Sequence, residues 1–316
     1  MSTPSGAEDA SDETSTSPEL ELPAIPVADG FANKAPISLA AYVQATQKLE
    51  GRDKLTKIVQ YGSRFLFWYF KNVAPNGELA DKAYSLYRVT QLSRKAFRMA
   101  KVADEVVRIT ALMESKQYPN FKSTVAILKC ASMGAFWTYD NLNYLTQAKV
   151  IGYGTDRAMR GFSRSWAIAN VAMIYLGLQT LTETSKRRQA LAQEYKKAAA
   201  VEQGNAADRE VQRIRGEAKA ANVAHFSSCL MLCKAVLDLT VAINMPGMDL
   251  LLKVFGKKLN DGVMGASGVL SALIVIFNCW PDKPKAAVAL PQVAATAPAA
   301  VAGSAGSTTP RSTRTT

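Results

Sequence analysis

Apolar and polar residues alternate along the middle of the chain with the period of an α-helix. In Leu55–Tyr69 the apolar residues recur every three or four positions and share one face, while basic residues share the opposite face. The period-two alternation typical of strands is nearly absent, so the pattern predicts an all-α protein. Either this helix packs in a core with its basic face in water, or it lies on an anionic membrane surface. The apolar positions are Leu55, Ile58, Val59, Gly62, Phe65, Leu66 and Tyr69, and the basic ones are Lys54, Lys57, Arg64 and Lys71.

The segment Lys82–Ile109 predicts a second amphipathic helix. Its apolar stripe consists of Val89, Leu92, Ala96, Met99, Ala103 and Val106, and its basic residues are Arg88, Arg94, Lys95, Arg98 and Lys101. Each base close to an anionic membrane is worth roughly 1 kcal/mol. We therefore expect the five bases to bind anionic phospholipid while the stripe inserts into the membrane. The alternative is a solvated basic face, and a DNA-binding helix is disfavoured because no helix-turn-helix pair, zinc ligands or heptad zipper accompany it.

A long apolar run near the end of the chain predicts a transmembrane helix. Gly262–Trp280 has 19 residues without a charge, which is enough to cross about 30 Å of hydrocarbon. Its first half carries small residues at helical spacing, a ridge that allows close helix packing. The ridge consists of Gly262, Gly265, Gly268 and Ser271. A second run, Ser165–Leu181, has 17 uncharged residues and is a borderline span.

Two further apolar segments contain charges. Val125–Leu145 is interrupted by Lys129 and Asp140, and Val223–Met245 is interrupted by Lys234 and Asp238. Ionisable groups are costly at bilayer depth, so we expect half-buried, paired or interfacial helices rather than simple spans. Asp140 and Asp238 are expected to pair with Lys129 or Lys234. In the alternative hypothesis of a pore, the same four residues line an aqueous path.

The flanking composition divides the chain into regions. Residues 1–33 hold seven acids and no base, which predicts a disordered acidic tail, and the Pro/Ala/Thr-rich residues 281–316 predict a second disordered tail. Residues 183–222 are rich in charge and predict an exposed helical linker that breaks near Gly204. Between these lie an amphipathic membrane-binding region (34–120), apolar helices that are possible spans (121–182), and an apolar helix followed by the transmembrane helix (223–280).

Charge and composition narrow the function classes. The chain has 38 basic and 26 acidic residues, and with the acidic tail set aside the excess of bases favours an anionic partner. There is one histidine, His225, and the four cysteines form no disulfide framework. The motif at Gly152 lacks the third glycine of a dinucleotide-binding loop. We therefore expect no enzyme activity, no metal and no cofactor.

Five segments, in order, resemble the peroxin-11 family of peroxisomal membrane proteins. The resemblance covers about residues 35–280. The segments are GRDKLTKIVQYGSRFL (Gly51–Leu66), SRKAFRMAKVADEV (Ser93–Val106), FWTYDNLNYL (Phe136–Leu145), LCKAVLDLTVAIN (Leu232–Asn244) and GVMGASGVLSALIVIF (Gly262–Phe277).

The resemblance implies a protein that elongates and tubulates the peroxisomal membrane before division. By position, Lys82–Ile109 is then the helix that inserts into the cytosolic leaflet. The resemblance also implies self-association, contact with dynamin-type fission machinery, and both termini in the cytosol. Two other hypotheses remain: a channel for small metabolites, and a soluble helical scaffold or nucleic-acid binder, against which Gly262–Trp280 counts.

Overall fold

The structure is a computed structural model that describes residues 33–116, 118–200 and 205–283. The two predicted tails lie almost wholly outside these residues. Within them the chain is helical, with only an isolated bridge between Lys34 and Asp282, so the all-α prediction is confirmed. The helices are α1 (Leu39–Gln47), α2 (Leu49–Asn72), α3 (Gly77–Ala96), α4 (Val102–Glu114), α5 (Phe121–Gln147), α6 (Thr155–Ala199), α7 (Asn205–Ile243), α8 (Leu250–Phe255) and α9 (Asp261–Cys279).

The long helices pack side by side in a ring. Contacts run from α2 to α3, from α3 to α5, and on through α6 and α7 to α9, which closes the ring against α2. The shorter α4 packs on α5. α9 runs antiparallel to α2, because Tyr61 and Trp68 of α2 lie against Gly268 and Gly262 of α9 respectively. The interior of the ring is therefore lined by one face of every long helix.

The antiparallel order gives the ring two ends. At the terminal end, Lys34 Nζ lies 2.9 Å from Asp282 Oδ1, and α2 begins and α9 ends. At the loop end lie the connections 73–76, 148–154 and 244–260. Asparagine side chains cap the first turns of three helices: Asn76 caps α3, Asn120 caps α5 and Asn260 caps α9. Both ends of the described chain therefore lie at the terminal end.

The residues of the predicted helical linker belong to two long helices that pack against each other. α6 continues unbroken through residue 183 to Ala199, and α7 returns beside it, so residues 183–199 and 208–222 form the two arms of a helical hairpin. Leu191 and Ile214 are both buried between the arms. Thr184 Oγ1 lies 3.0 Å from His225 Nδ1. The sequence pattern concealed this packing because the apolar contacts are single residues within a charged surface.

The prediction of one continuous helix over Lys82–Ile109 is wrong, because the segment contains parts of two helices. α3 ends at Ala96, a turn follows, and α4 begins at Val102. In the turn Ala100 has a φ of 58°, and the Arg98 Nε donates to the Arg94 carbonyl oxygen at 2.9 Å. No glycine or proline marks the break, so hydrophobic periodicity alone could not locate it. The turn brings α4 against α5, where Val102 and Glu105 contact Gly134.

A buried charge network as the candidate functional site

A carboxylate at the centre of the ring binds two ammonium groups and a hydroxyl. Asp238 of α7 accepts from Lys57 of α2 at 2.9 Å and from Lys234 at 2.8 Å. The Ser271 hydroxyl of α9 donates to Asp238 and accepts from Lys57 at 2.7 Å. Lys57, Asp238 and Ser271 are all buried. Three helices are thus joined through one charged centre.

A second carboxylate joins α2 to α3. The guanidinium of Arg94 donates to both oxygens of Asp53, from Nε at 3.0 Å and from Nη2 at 3.3 Å. Its remaining nitrogen donates to Gln60 Oε1 at 2.6 Å. Lys54 lies 2.9 Å from the same carboxylate. This two-point geometry is the strong form of the arginine–carboxylate pair.

A third carboxylate joins the α3–α4 turn to α5. Asp140 is fully buried, and it pairs with Lys95 at 2.7 Å and with Arg98 at 3.1 Å. Arg98 Nε also lies 3.9 Å from Asp53 Oδ1, so the ion pairs of Asp140 are connected to those of Asp53. The charge network consists of Asp53, Lys54, Lys57, Arg94, Lys95, Arg98, Asp140, Lys234 and Asp238. It places six cations around three carboxylates, so the interior of the ring carries an excess of positive charge.

The network borders an interior cavity of about 740 Å³, here called the inner cavity. Its wall includes all nine residues of the charge network, and also the bases Lys101, Arg108 and Lys129 and the acids Glu50, Asp104 and Glu105. Aromatic rings of the central cluster, among them Phe136, Trp137 and Phe162, form part of the same wall. A space of this size, bordered by charged groups, can hold water, ions or a small polar molecule.

The structure corrects the expected position of three predicted lipid-binding residues. Arg94, Lys95 and Arg98 are only 6%, 4% and 7% exposed, because the carboxylates of α2 and α5 bind them inside the ring. Lys101 is half-buried, with its ammonium 4.9 Å from the centre of the Trp137 ring. Arg88 alone among the five is exposed. Lipid binding by Arg88 and Lys101 stays a prediction.

The apolar stripe of the same segment lies on the outside. Val89 is 63% exposed and Val106 is 58% exposed, and Leu92 and Met99 are also exposed. Ala103 is exposed and Ala96 is half-buried. In α2, likewise, Val59 and Leu66 are exposed while Lys57 is buried. Charge faces inward and apolar surface faces outward, the reverse of a water-soluble bundle.

The small residues of α9 face α2. A Cβ added at Gly265 would lie 2.6 Å from the backbone nitrogen of Phe65, and one at Gly268 would lie 2.1 Å from the Tyr61 ring. A Cβ at Gly262 would lie 2.6 Å from the Trp68 ring. The fourth member, Ser271, instead bonds to the charge network. The spacing of small residues thus coincides with the place where two helices approach most closely.

Sequence reasoning identified part of this site. It singled out Asp140 and Asp238 as paired groups, and Lys234 is indeed a partner of Asp238. It offered Lys129 or Lys234 as the partner of each acid, but the cations that pair with Asp140 in the structure are Lys95 and Arg98. It missed Asp53 and Lys57 because they sit in an ordinary amphipathic pattern. Among the described residues no cluster of three His, Cys, Asp or Glu could hold a metal ion.

Two segments of the described chain are long and apolar enough to cross a membrane. They are Asp208–Ile243, within α7, and Asp261–Cys279, which is α9. The first contributes Asp238 to the charge network, and Ser271 of the second bonds to that network. The run Ser165–Leu181 lies inside α6 and does not meet the same criterion.

The family comparison agrees with this architecture. Residues 39–280 match the peroxisomal biogenesis factor 11 (PEX11) family. The chain belongs to this family. As a PEX11-family member it is a protein of the peroxisomal membrane, from a family associated with peroxisome proliferation.

The matches to individual relatives cover nearly the whole length of each relative. The chain is 26% identical to the peroxisomal membrane protein 11 homolog of Dictyostelium discoideum over 248 residues, covering 77% of this chain and 94% of the relative. It is 26% identical to peroxisomal membrane protein 11-1 of Oryza sativa subsp. japonica, covering 78% and 92%. It is 24% identical to peroxisomal membrane protein 11D of Arabidopsis thaliana, covering 78% and 94%. No solved structure matches the chain.

Proposed function

We propose that the protein elongates and tubulates the peroxisomal membrane, and so promotes peroxisome proliferation and fission, as a membrane-embedded ring of helices. The α3–α4 segment inserts its apolar stripe into the cytosolic leaflet. Both termini face the cytosol, copies of the protein self-associate, and dynamin-type fission machinery is recruited. No catalytic chemistry is part of this proposal.

One observation carries the proposal, namely the inverted distribution of charge and apolar surface. Val89, Leu92, Met99 and Val106 are exposed, and the bases beside them are neutralised by carboxylates within the ring. Exposed apolar area of this kind is stable when it contacts lipid rather than water. Insertion is therefore driven mainly by apolar contact, with Arg88 and Lys101 left to interact with headgroups.

The test uses the full-length protein reconstituted into vesicles. The double variant Leu92→Glu, Val106→Glu places two charges on the stripe and is expected to abolish tubulation while the ring stays folded. The control Gln193→Glu, Gln212→Glu adds the same two charges to exposed positions on the arms, and we expect it to tubulate normally. Equal tubulation by both double variants would contradict the proposal.

A channel for small metabolites is a second candidate, supported by the inner cavity. Lys129, Asp140, Lys234 and Asp238 all line that cavity. Because cations outnumber carboxylates in the charge network, the candidate predicts preference for anions. Lys129 is in no ion pair within the described residues, so it can be changed without breaking the network.

The channel is tested in planar bilayers. We expect a conductance that favours anions and loses much of that preference in Lys129→Glu. The exposed variant Lys219→Glu should conduct like the unaltered protein. A silent bilayer that contains correctly inserted protein would exclude the channel and leave membrane remodelling unaffected.

A further inference from the structure

A second cavity lies at the loop end of the ring, separate from the inner cavity. Its volume is about 760 Å³, and it is here called the end cavity. Residues from α2, α3, α5, α6, α8, α9 and the 244–249 loop line it. The two cavities adjoin, because Gln91, Lys95, Met159 and Met245 line both, and the Lys95 ammonium binds Asp140 on the inner side. The size is suitable for a small molecule or a lipid headgroup.

The wall of the end cavity is strongly basic. It includes six bases, Arg64, Arg88, Lys95, Arg160, Arg164 and Lys253, against the two acids Asp156 and Asp249. Lys95 and Arg64 are paired with Asp140 and Asp261. Neither Arg88, Arg160 nor Arg164 is in an ion pair within the parts of the chain that the structure describes. Three guanidinium groups are thus available to an anion.

One of the two acids at this cavity is already paired with a lysine. Asp249 Oδ1 lies 2.6 Å from Lys258 Nζ, and the Gly247 N–H donates to Asp249 Oδ2 at 2.9 Å. The contact with Lys258 is the largest cause that lowers the pKa of Asp249 below its usual value, and the hydrogen bond from Gly247 lowers it further. Asp249 therefore stays ionised but is already neutralised by Lys258, and Asp156 is the other acid of the wall.

A buried amide group on the wall has no partner. Asn143 of α5 is fully buried, and its Oδ1 accepts from Gln147 Nε2. The Nδ2 of Asn143 has no hydrogen-bond acceptor. Buried donors without an acceptor are rare in proteins, and at the wall of a cavity they are typical of a place that an acceptor fills. Asn143 belongs to the same cavity wall as the three unpaired guanidinium groups.

The loop that covers the cavity is fixed in place. The Ser163 hydroxyl of α6 donates to the Pro246 carbonyl oxygen at 3.0 Å. Gly247 has a φ of 90°, and a Cβ there would lie 2.6 Å from the Arg160 Cα. Only glycine therefore allows the loop to pass this close to α6. The cavity is a built feature of the fold rather than a gap between separate surfaces.

We propose that the end cavity is a binding site for a phosphate group, held by Arg88, Arg160 and Arg164 and by the Nδ2 of Asn143. One guanidinium group can donate two parallel hydrogen bonds to phosphate oxygens, and an amide N–H supplies a further donor. The phosphate belongs either to a lipid headgroup or to a free organic phosphate. The aromatic residues Trp68, Tyr69 and Tyr84 near the same end of the ring are typical of the membrane–water interface, where headgroups lie.

The experiment titrates full-length protein in phosphatidylcholine nanodiscs by calorimetry. One arm uses inorganic pyrophosphate, and the other uses a short-chain phosphatidylinositol phosphate. Arg160→Gln and Arg164→Gln should each weaken binding by about tenfold, the loss expected for one charge-assisted contact. Asn143→Leu removes the amide donor and should weaken binding too. The control Arg157→Gln changes an exposed arginine on the same helix that does not line the cavity.

The outcomes separate the two sources from failure of the proposal. Tighter binding of the lipid identifies a headgroup site, tighter binding of pyrophosphate identifies a free organic phosphate, and either supports the site. No binding in both arms overturns it, as does an equal loss in Arg157→Gln, which would indicate general charge attraction. Should Asn143→Leu not fold, the exposed Arg160 and Arg164 variants still decide the question. Tubulation plays no part in this readout.

Discussion

At the scale of single residues, the charge network depends most on Asp238. Its carboxylate is the shared acceptor of Lys57, Lys234 and Ser271, and it is buried with Lys57. Removing one partner of a buried pair leaves an uncompensated charge, which costs far more than the pair itself contributes. Loss of each member of this centre should therefore lower the free energy of unfolding by a different amount.

We predict a rank order of destabilisation among three variants. Asp238→Ala leaves two ammonium groups without an acceptor and should lower the free energy of unfolding by about 3 kcal/mol or more. Lys57→Met leaves Asp238 paired with Lys234 and should cost less. Lys234→Met should cost least, about 1 kcal/mol, since its side chain is partly exposed and the Lys57 pair remains. Denaturant unfolding of the detergent-solubilised protein measures all three, and equal losses would contradict the shared-acceptor arrangement.

The turn between α3 and α4 provides a second prediction for a single residue. Ala100 has a φ of 58°, a left-handed conformation that costs an alanine about 1 kcal/mol and costs glycine nothing. Ala100→Gly should therefore raise the unfolding temperature. Ala111→Gly, at an exposed position inside α4, should lower it, because glycine weakens a helix interior. Thermal melts of the two variants decide the point, and a loss of stability in both would show a continuous helix through residue 100.

At the scale of helices, the sequence predicted the elements but not which way their faces point. The spacing of Val89, Leu92 and Met99 correctly separates an apolar from a basic face, but periodicity is the same whether the apolar face points inward or outward. The direction depends on Asp53 and Asp140, which lie on other helices and bind Arg94 and Lys95. The lone acids in apolar segments were the available signal, and they identified Asp140 and Asp238 but not their partners on α2 and α3.

This inversion changes how a charge-reversal variant should be interpreted. Changing Arg94, Lys95 or Arg98 to Glu would place a carboxylate beside Asp53 or Asp140 inside the ring. Such a variant is expected to unfold, so its failure to bind membranes would say nothing about headgroups. Arg88→Glu, at an exposed position, leaves the charge network intact and tests lipid binding when it is compared with Arg160→Gln, which alters the end cavity alone.

The contact between α2 and α9 is the element-scale feature that is easiest to test. Gly265→Ala puts a methyl group 2.6 Å from the Phe65 backbone, so the two helices must separate. We expect a loss of about 2 kcal/mol in the free energy of unfolding, the usual cost of overpacking. Ala266→Val adds a larger volume at the neighbouring exposed position and should change stability by less than about 0.5 kcal/mol. Similar losses in both variants would rule out the close approach of α9 to α2.

At the scale of the whole molecule, the ring unites segments that the sequence divided. The predicted regions 34–120, 121–182 and 223–280 all contribute residues to one charge network, through Lys57, Asp140 and Asp238. The closure of α9 against α2 could not be foreseen, because it depends on contacts between residues about 200 positions apart, such as Lys57 and Ser271. Only the family resemblance, which spans these regions, indicated that they belong together.

The ring makes a definite prediction about sidedness in the membrane. The ends of the described chain meet at the terminal end, where Lys34 pairs with Asp282, and the 148–154 and 244–260 connections lie together at the loop end. Single cysteines at Ile37, Gly152 and Lys257, placed in a chain whose own four cysteines are changed to serine, report on each position. With cytosolic termini, Ile37→Cys should react with an impermeant maleimide in intact peroxisomes. Gly152→Cys and Lys257→Cys should react only after the membrane is permeabilised.

If Gly152→Cys reacts together with Ile37→Cys while Lys257→Cys stays protected, α7 and α9 cross the membrane but α5 and α6 do not. The inner cavity would then lie at the membrane surface, and a channel through it would be excluded.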